Sequence, residues 1–239
     1  MPIMPMDPAK EVGVDFYDFY EIRHHVLVFM VADVAGKGIP ASLFMMRAKT
    51  ILKTYAENNI SLSDIFTNAN FELCDGNDTG MFVTAWMGLL NVRTGLVTFA
   101  NAGHNPPLLK RADGSFEYLR TRAGFVLAGM EGMRYRVGEL TLYPGDRLFL
   151  YTDGVSEATN TENELYGEDR ILNFANENAR LMANEFLPKL KADIDGFVGE
   201  APQFDDITML MFDYKIGKGA AQRTDKVFPA KTEALPDVL

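Results

Sequence analysis

Apolar positions along the chain recur with two periods, and the switches between them mark out the elements. Val26–Ala32, VLVFMVA, is apolar without a break and rich in β-branched residues, the pattern of a strand buried on both faces. It ends on Asp33, after which Gly36 and Gly38 allow a tight turn and close backbone approach. Pro40 suits a first helical turn. Phe44, Ala48, Ile51 and Tyr55 then recur at helical spacing, which gives a helix over Pro40–Glu57 one apolar face. Phe44, Met45 and Met46 are read as core rather than as a ligand box. Asn58 and Asn59 stop this helix. Ser61 caps a second, with Asp64 three places on and Leu62, Ile65, Phe66, Ala69 and Leu73 as its apolar face. The short connection makes the two helices neighbours.

Elsewhere the period is that of strands. Glu11–Tyr20 alternates imperfectly and is aromatic-rich, so it reads as a strand. Asp15 and Asp18 face opposite sides of such a strand, and at most one of them enters a shared site. Met81–Asn91 and Leu96–Asn101 form a hairpin around Gly95. AGHNPP, Ala102–Pro107, leaves regular pairing because proline cannot donate to a ladder. Leu108–Lys110 and Phe116–Leu119 flank a turn, and Arg134–Leu142 alternates again. Tyr143–Asp146, YPGD, has Pro and Gly at the central positions of a type II turn and leads into a strand over Arg147–Thr152. Helices over Glu168–Ala179 and Met182–Asp195, a breaker-rich loop over Gly199–Gln203 and a last strand over Ile207–Tyr214 follow. Hairpins in the middle and helix pairs in two blocks predict a layered α+β domain over residues 11–214. Two packed, mainly antiparallel sheets are flanked by helix pairs.

Composition narrows the chemistry. The chain has 239 residues, 47% of them hydrophobic, enough for one large domain or two small ones with a real core. A net charge of −10 argues against nucleic-acid binding, which relies on clustered Lys and Arg, and permits a carboxylate cluster that a divalent cation would neutralise. The single cysteine, Cys74, excludes a disulfide framework and a cysteine-based zinc site within one chain, and its apolar helical setting predicts a small buried residue. No apolar run reaches the ~18 residues of a membrane span. With no secretory signal in view, a reducing cytoplasmic setting is the default. Residues 1–10, MPIMPMDPAK, read as an extended lead-in or as the place where a longer chain was cut.

Three times an apolar strand and a turn meet at aspartate: Asp33, Asp153 in LFLYTDGVSEA, and Asp205-Asp206 before the last strand. Such a carboxylate can hold a metal ion or merely cap its turn. Gly36-Lys37-Gly38 lacks the spacing of a nucleotide-binding loop. His24 and His25 fall in a turn and are expected in solvent. His104 has two readings, a proton donor to a leaving group or a holder of the Asn101–Pro107 corner, and the second is favoured.

VADVAGKGIPASLFM, FANAGHNPPLL, LFLYTDGVSEA and FDDITMLMF stand in this order, with DFYDFY near the start. Together they resemble the bacterial RsbU/SpoIIE-type serine phosphatases, a branch of the metal-dependent type 2C protein phosphatase superfamily. The resemblance covers about residues 8–214. It implies a four-layer αββα sandwich, a site for two Mn²⁺ or Mg²⁺ ions, and hydrolysis of phosphoserine or phosphothreonine on a regulatory protein. The implied substrate is a phosphorylated anti-sigma-factor antagonist, a STAS-domain protein, in sigma-factor and stress-response control. By the same resemblance Asp33 bridges both metals, Val34 lends its backbone carbonyl, Asp153 and Asp205 complete one metal, and Asp15 serves the other, partly through water. Asp206 and Asp18 are assigned to supporting neighbours. The sequence departs from the pattern where Val14 replaces the glycine usual before the first aspartate. Lys226–Leu239, KVFPAKTEALPDVL, resembles the start of a GHKL-type anti-sigma kinase domain, which makes residues 215–239 a linker and the opening of a second domain. A disordered tail is the equal alternative.

The residues are consistent with that chemistry. Asp15, Asp33, Asp153 and Asp205, without His or Cys, suit hard divalent cations rather than zinc. Two such ions can activate a water for in-line attack on phosphorus, so no covalent phosphoenzyme is needed. Two other classes stay in view: a partner-binding module whose Asp15 side is impaired, and a metal-dependent phosphodiesterase. The helix pair over residues 40–74 follows Asp33 directly, so upstream domains or a homodimer would have a route to that ligand.

Overall fold

Alternation of side chains along the strands decides the layers. The computed structural model describes residues 6–7, 13–58, 60–203 and 205–215. In β3 (Val26–Val34), Val28, Met30, Ala32 and Val34 join one buried cluster, while Phe29 and Val31 join another. This is the two-residue period of a strand with apolar material on both sides. One sheet has the order β2 (Phe16–Arg23), β3, β4 (Val83–Asn91), β5 (Leu96–Ala102), β8 (Val137–Thr141). The other runs β1 (Met6–Asp7), β10 (Ile207–Asp213), β9 (Arg147–Tyr151), β6 (Leu108–Lys110), β7 (Phe116–Tyr118). Every pairing between neighbours is antiparallel.

Helices α1 (Ile39–Glu57) and α2 (Leu62–Cys74) cover the outer face of the first sheet. The outer face of the second is covered by α4 (Gly167–Glu177) and α5 (Ala183–Val198), and a short α3 (Asp153–Ser156) follows β9. Between the sheets lie Phe29, Trp86, Phe99, Leu150 and Phe212, with the Phe29 and Phe212 rings stacked at 5.4 Å. The result is the four-layer αββα sandwich expected. None of the described helices is long and apolar enough to cross a membrane.

Local chemistry explains most boundaries. Ser61 caps α2, its hydroxyl accepting the Asp64 N–H at 3.1 Å, and all five residues of the expected apolar face are buried. Tyr143–Asp146 closes the expected turn with an Asp146 N–H to Tyr143 carbonyl bond of 2.9 Å and Gly145 at φ 98°. Four expectations need correction. The first aromatic strand is shifted, starting at Phe16 and running to Arg23, so Asp15 precedes it. The Arg134–Leu142 strand shortens to Val137–Thr141. Cys74 ends α2 and is half-buried rather than buried, because its position lies at the edge of the helix's apolar face. Met46 is exposed on α1, off the stripe formed by Phe44, Ala48 and Leu52. The lead-in apart from Met6–Asp7, and the kinase-like tail, lie outside the described residues.

Candidate metal centre

The strands deliver aspartates to one end of the seam between the sheets. Asp33 has the parity of Phe29 and Val31, so it continues the face that looks at the second sheet, and it is only 9% exposed. Asp153 opens α3 directly after β9. Asp205 and Asp206 precede β10, whose register pairs Met209 with Tyr151 and so brings the Asp206 and Thr152 ends together. Asp15 precedes β2, whose Phe16 pairs with Ala32 beside Asp33. Val34 ends β3, paired with Val83.

Hydrogen bonds lock these ends. Thr152 donates its N–H to the Thr208 carbonyl at 3.0 Å, and the Thr208 N–H returns to the Thr152 hydroxyl at 3.1 Å. The Thr152 Oγ1 hydroxyl then donates to Asp15 Oδ2 at 2.6 Å. Asp206 Oδ2 accepts the Val14 N–H at 2.6 Å and the Asp15 N–H at 3.4 Å, so Asp206 clamps the segment that carries Asp15 into β2. Val14 itself is 2% exposed, packs in the core and is not among the residues with positive φ. Its β-branched side chain therefore sits where no glycine is required. Asp18 pairs with Met30, on the helix-facing side, and meets Lys49 of α1 at 3.8 Å, away from the seam.

Gly154 has a steric reason. A Cβ there would stand 1.9 Å from the Asp206 carbonyl oxygen, because α3 starts directly against the backbone that leads into β10. The turn after β3 places Lys37 between Gly36 at φ 124° and Gly38 at φ 80°, and the Lys37 ammonium lies 3.4 Å from Asp205 Oδ2.

Crowding of like charge in a partly buried cleft raises the acids' affinity for protons. Burial, then the Asp33 charge, pushes the Asp15 carboxyl well up, and the two carboxyls hydrogen-bond to each other. Asp33 is raised chiefly by burial, with Asp205 and Asp206 adding to it. Asp153 rises to about 7 through burial and then the charges of Asp33, Glu157 and Asp205. The donor set is carboxylate throughout and electrostatically short of positive charge, which fits a hard divalent cation. Among the described residues, no three His, Cys, Asp or Glu side chains close tightly enough to hold an ion as they stand. The fit is therefore one of donor chemistry and charge.

The AGHNPP segment crosses from β5 in one sheet to β6 in the other, and His104 holds that crossing. Its N–H donates to Asn101 Oδ1 at 2.8 Å, the Asn101 amide returns to the His104 carbonyl at 2.9 Å, and its Nδ1 meets the Thr84 hydroxyl at 2.8 Å. Burial lowers the imidazole from 6.5 to about 4. Because the unfolded chain then takes up the proton first as pH falls, the His104 contribution is intact above pH 6.5 and is lost between 6.5 and about 4. That loss amounts to roughly 3 kcal/mol. Nitrogen-15 NMR of the imidazoles checks this: His104 is expected to remain neutral at pH 5, and a charged His104 there would contradict its placement.

The structure brings together Asp15, Asp33, Asp153 and Asp205, with Asp206 behind them. Sequence reasoning missed Thr152 and Lys37. A hydroxyl directly before the Asp153-Gly154 step was a readable signal for the first. Lys37 carried no signal, since its partner Asp205 is far along the chain.

Residues 23–215 match the family model described as Stage II sporulation protein E (SpoIIE). Protein IcfG of Synechocystis is 26% identical over 231 residues, 85% of this chain and 36% of that protein. Phosphoserine phosphatase RsbU of Bacillus subtilis is 33% identical over 157 residues, 65% of this chain and 46% of that protein. The chain thus spans less than half the length of these relatives. The SiaA-PP2C domain of Pseudomonas aeruginosa has the same fold, with a TM-score of 0.78 at 24% identity, covering 90% of this chain and 86% of that one.

Proposed function

Since the chain belongs to the SpoIIE family of PP2C-type domains, we propose that it is a metal-dependent phosphatase releasing phosphate from phosphoserine or phosphothreonine on a regulatory protein. The observation that supports this most is the meeting of acidic side chains from four distant stretches at one end of the sheet seam, where burial and mutual repulsion raise Asp15, Asp33 and Asp153 together.

Asp33, Asp153 and Asp205, the Val34 carbonyl and Asp15 are the groups assigned to hold Mn²⁺ or Mg²⁺. Two such cations supply charge neutralisation at the phosphoryl oxygens and an acidified water when bound. This chain's own residues set the geometry. Asp33 is fixed by β-pairing on the inter-sheet face. Thr152 orients the Asp15 carboxyl, and Asp206 anchors the backbone that carries it. Lys37 lends Asp205 a positive neighbour at the cleft. His104 stays in its structural role, because a fully buried imidazole lowered to about 4 is a poor acid reservoir at neutral pH.

The substrate we assign is a phosphorylated STAS-domain antagonist of an anti-sigma factor in the cytoplasm, and a kinase domain or a second copy of the chain is a candidate partner. The test is phosphate release from a phosphoserine-bearing STAS protein. Release that requires Mn²⁺ or Mg²⁺ and stops in chelator supports the reading. Turnover that continues in chelator, or nucleotide diesters cleaved faster than phosphoprotein, overturns it.

A further inference from the structure

One cation stands against the acidic cleft. Lys37 lies in the turn that joins β3 to α1, shortly after Asp33. That turn is anchored on both sides of it: the Ala35 N–H donates to the Phe82 carbonyl at 2.9 Å, and the Ser42 N–H to the Gly38 carbonyl at 3.0 Å. Gly36 and Gly38 take positive φ on either side, and Lys37 is exposed between them. Among the described residues, no other Lys or Arg forms an ion pair with Asp15, Asp33, Asp153, Asp205 or Asp206. The pair with Asp205 is loose. Its Nζ–Oδ2 distance is 3.4 Å, and the two side chains keep 31% and 27% of their surface in solvent. A pair this exposed contributes little to stability, so parting it costs little.

A phosphoserine brings nearly two negative charges to a cleft that is itself carboxylate throughout, in a protein of net charge −10. Lys37 cannot keep Asp205 once a divalent ion shares that carboxylate, since ammonium and ion repel each other at such range. Its flexible stem then lets the ammonium turn to the strongest acceptor in reach, the phosphoryl oxygens, with which lysine pairs as a point charge. We propose that Lys37 is a substrate-binding residue of this site. It holds Asp205 while the site has no ion, and it gives its ammonium to the substrate's phosphate when the site is loaded. The proposal rests on the phosphatase reading above and adds a phosphate contact made by the protein itself. A lysine that served only to keep Asp205 in place would stay with that carboxylate throughout.

The experiment compares wild type with Lys37→Met and Lys37→Arg. Methionine keeps an unbranched stem and removes the charge, and arginine restores it. Each protein is titrated calorimetrically with Mn²⁺ alone, and with inorganic phosphate in its Mg²⁺-loaded form. Hydrolysis of a phosphoserine peptide is measured at saturating Mn²⁺. Lys37→Met is expected to bind Mn²⁺ about 5-fold more tightly, because a competing cation is gone. It is expected to bind phosphate about 10-fold more weakly and to lose about 10-fold in kcat/KM, the size of one lost charge-assisted bond. Lys37→Arg is expected to recover most of each change. Tighter metal with weaker phosphate is a combination that general damage to the site does not give. If wild type leaves the peptide intact, the phosphatase reading fails, and weaker phosphate binding confined to Lys37→Met still supports the contact. Phosphate affinity equal in wild type and Lys37→Met, or no phosphate bound by either, overturns the proposal whatever the metal does. Weaker Mn²⁺ binding by Lys37→Met also overturns it, since Lys37 would then only hold Asp205 in place.

Discussion

Asp33→Asn is expected to lower metal-dependent phosphate release by at least about 100-fold, since loss of a ligand exceeds the 10–100-fold typical of losing the groups that orient one. The same variant is expected to be more stable than wild type in chelator at neutral pH, by roughly 1–2 kcal/mol. The sign follows from the raised affinity of Asp33 for protons. Its folded-state value exceeds the unfolded one, so its favourable contribution is complete only below the unfolded value and is lost as pH rises through the folded one. At neutral pH the ionised Asp33 opposes folding, held among Asp15, Asp205 and Asp206 in a buried cleft. Asparagine keeps the shape and removes the charge. Urea unfolding in chelator, beside a phosphate-release assay, separates this from structural damage: a destabilised Asp33→Asn with residual metal-dependent turnover would count against a ligand role.

Gly154→Ala is expected to be strongly damaging for a single added methyl. The added carbon would meet the Asp206 carbonyl oxygen at 1.9 Å, a backbone atom that cannot rotate away. Overpacking of this kind costs about 3 kcal/mol. The relief has to come from moving α3 off the start of β10, which separates Asp153 from Asp205 and slackens the Asp206 clamp on Val14 and Asp15. Activity is therefore expected to fall further than the folded fraction does. Calorimetric melting together with kcat at a temperature where the variant stays folded checks it. A variant that melts within a degree of wild type would refute the packing described.

How much of this was written locally differs from element to element. β3 was legible because Val26–Ala32 is apolar on both faces, and only a strand between two apolar layers asks for that. α2 was legible because Ser61, Asp64 and the 3.6-residue stripe agree. β1 was not, since two residues carry no period and its pairing with Thr208 and Ile207 is supplied entirely by β10. The start of β2 slipped because aromatic alternation continues through Asp15, whereas the carboxylate is held out of the strand by Thr152 and the backbone by Asp206. The site divides the same way. Each aspartate at a strand end announced itself. The division of labour within Asp205-Asp206 came from the resemblance alone, since both precede β10 and carry no strand period: Asp206 turns to the Val14 and Asp15 N–H groups, and Asp205 meets Lys37. Lys37 became visible only when the chain's distant parts were brought together.

The central claim is that Asp33, Asp153 and Asp205 share divalent cations at the end of the sheet seam. Anomalous scattering from crystals grown with Mn²⁺ tests it most directly. The expected result is strong manganese peaks in contact with the Asp33 and Asp153 carboxylates, absent from crystals of Asp33→Asn grown in the same way. Manganese bound elsewhere on the protein, with those carboxylates untouched, would contradict it.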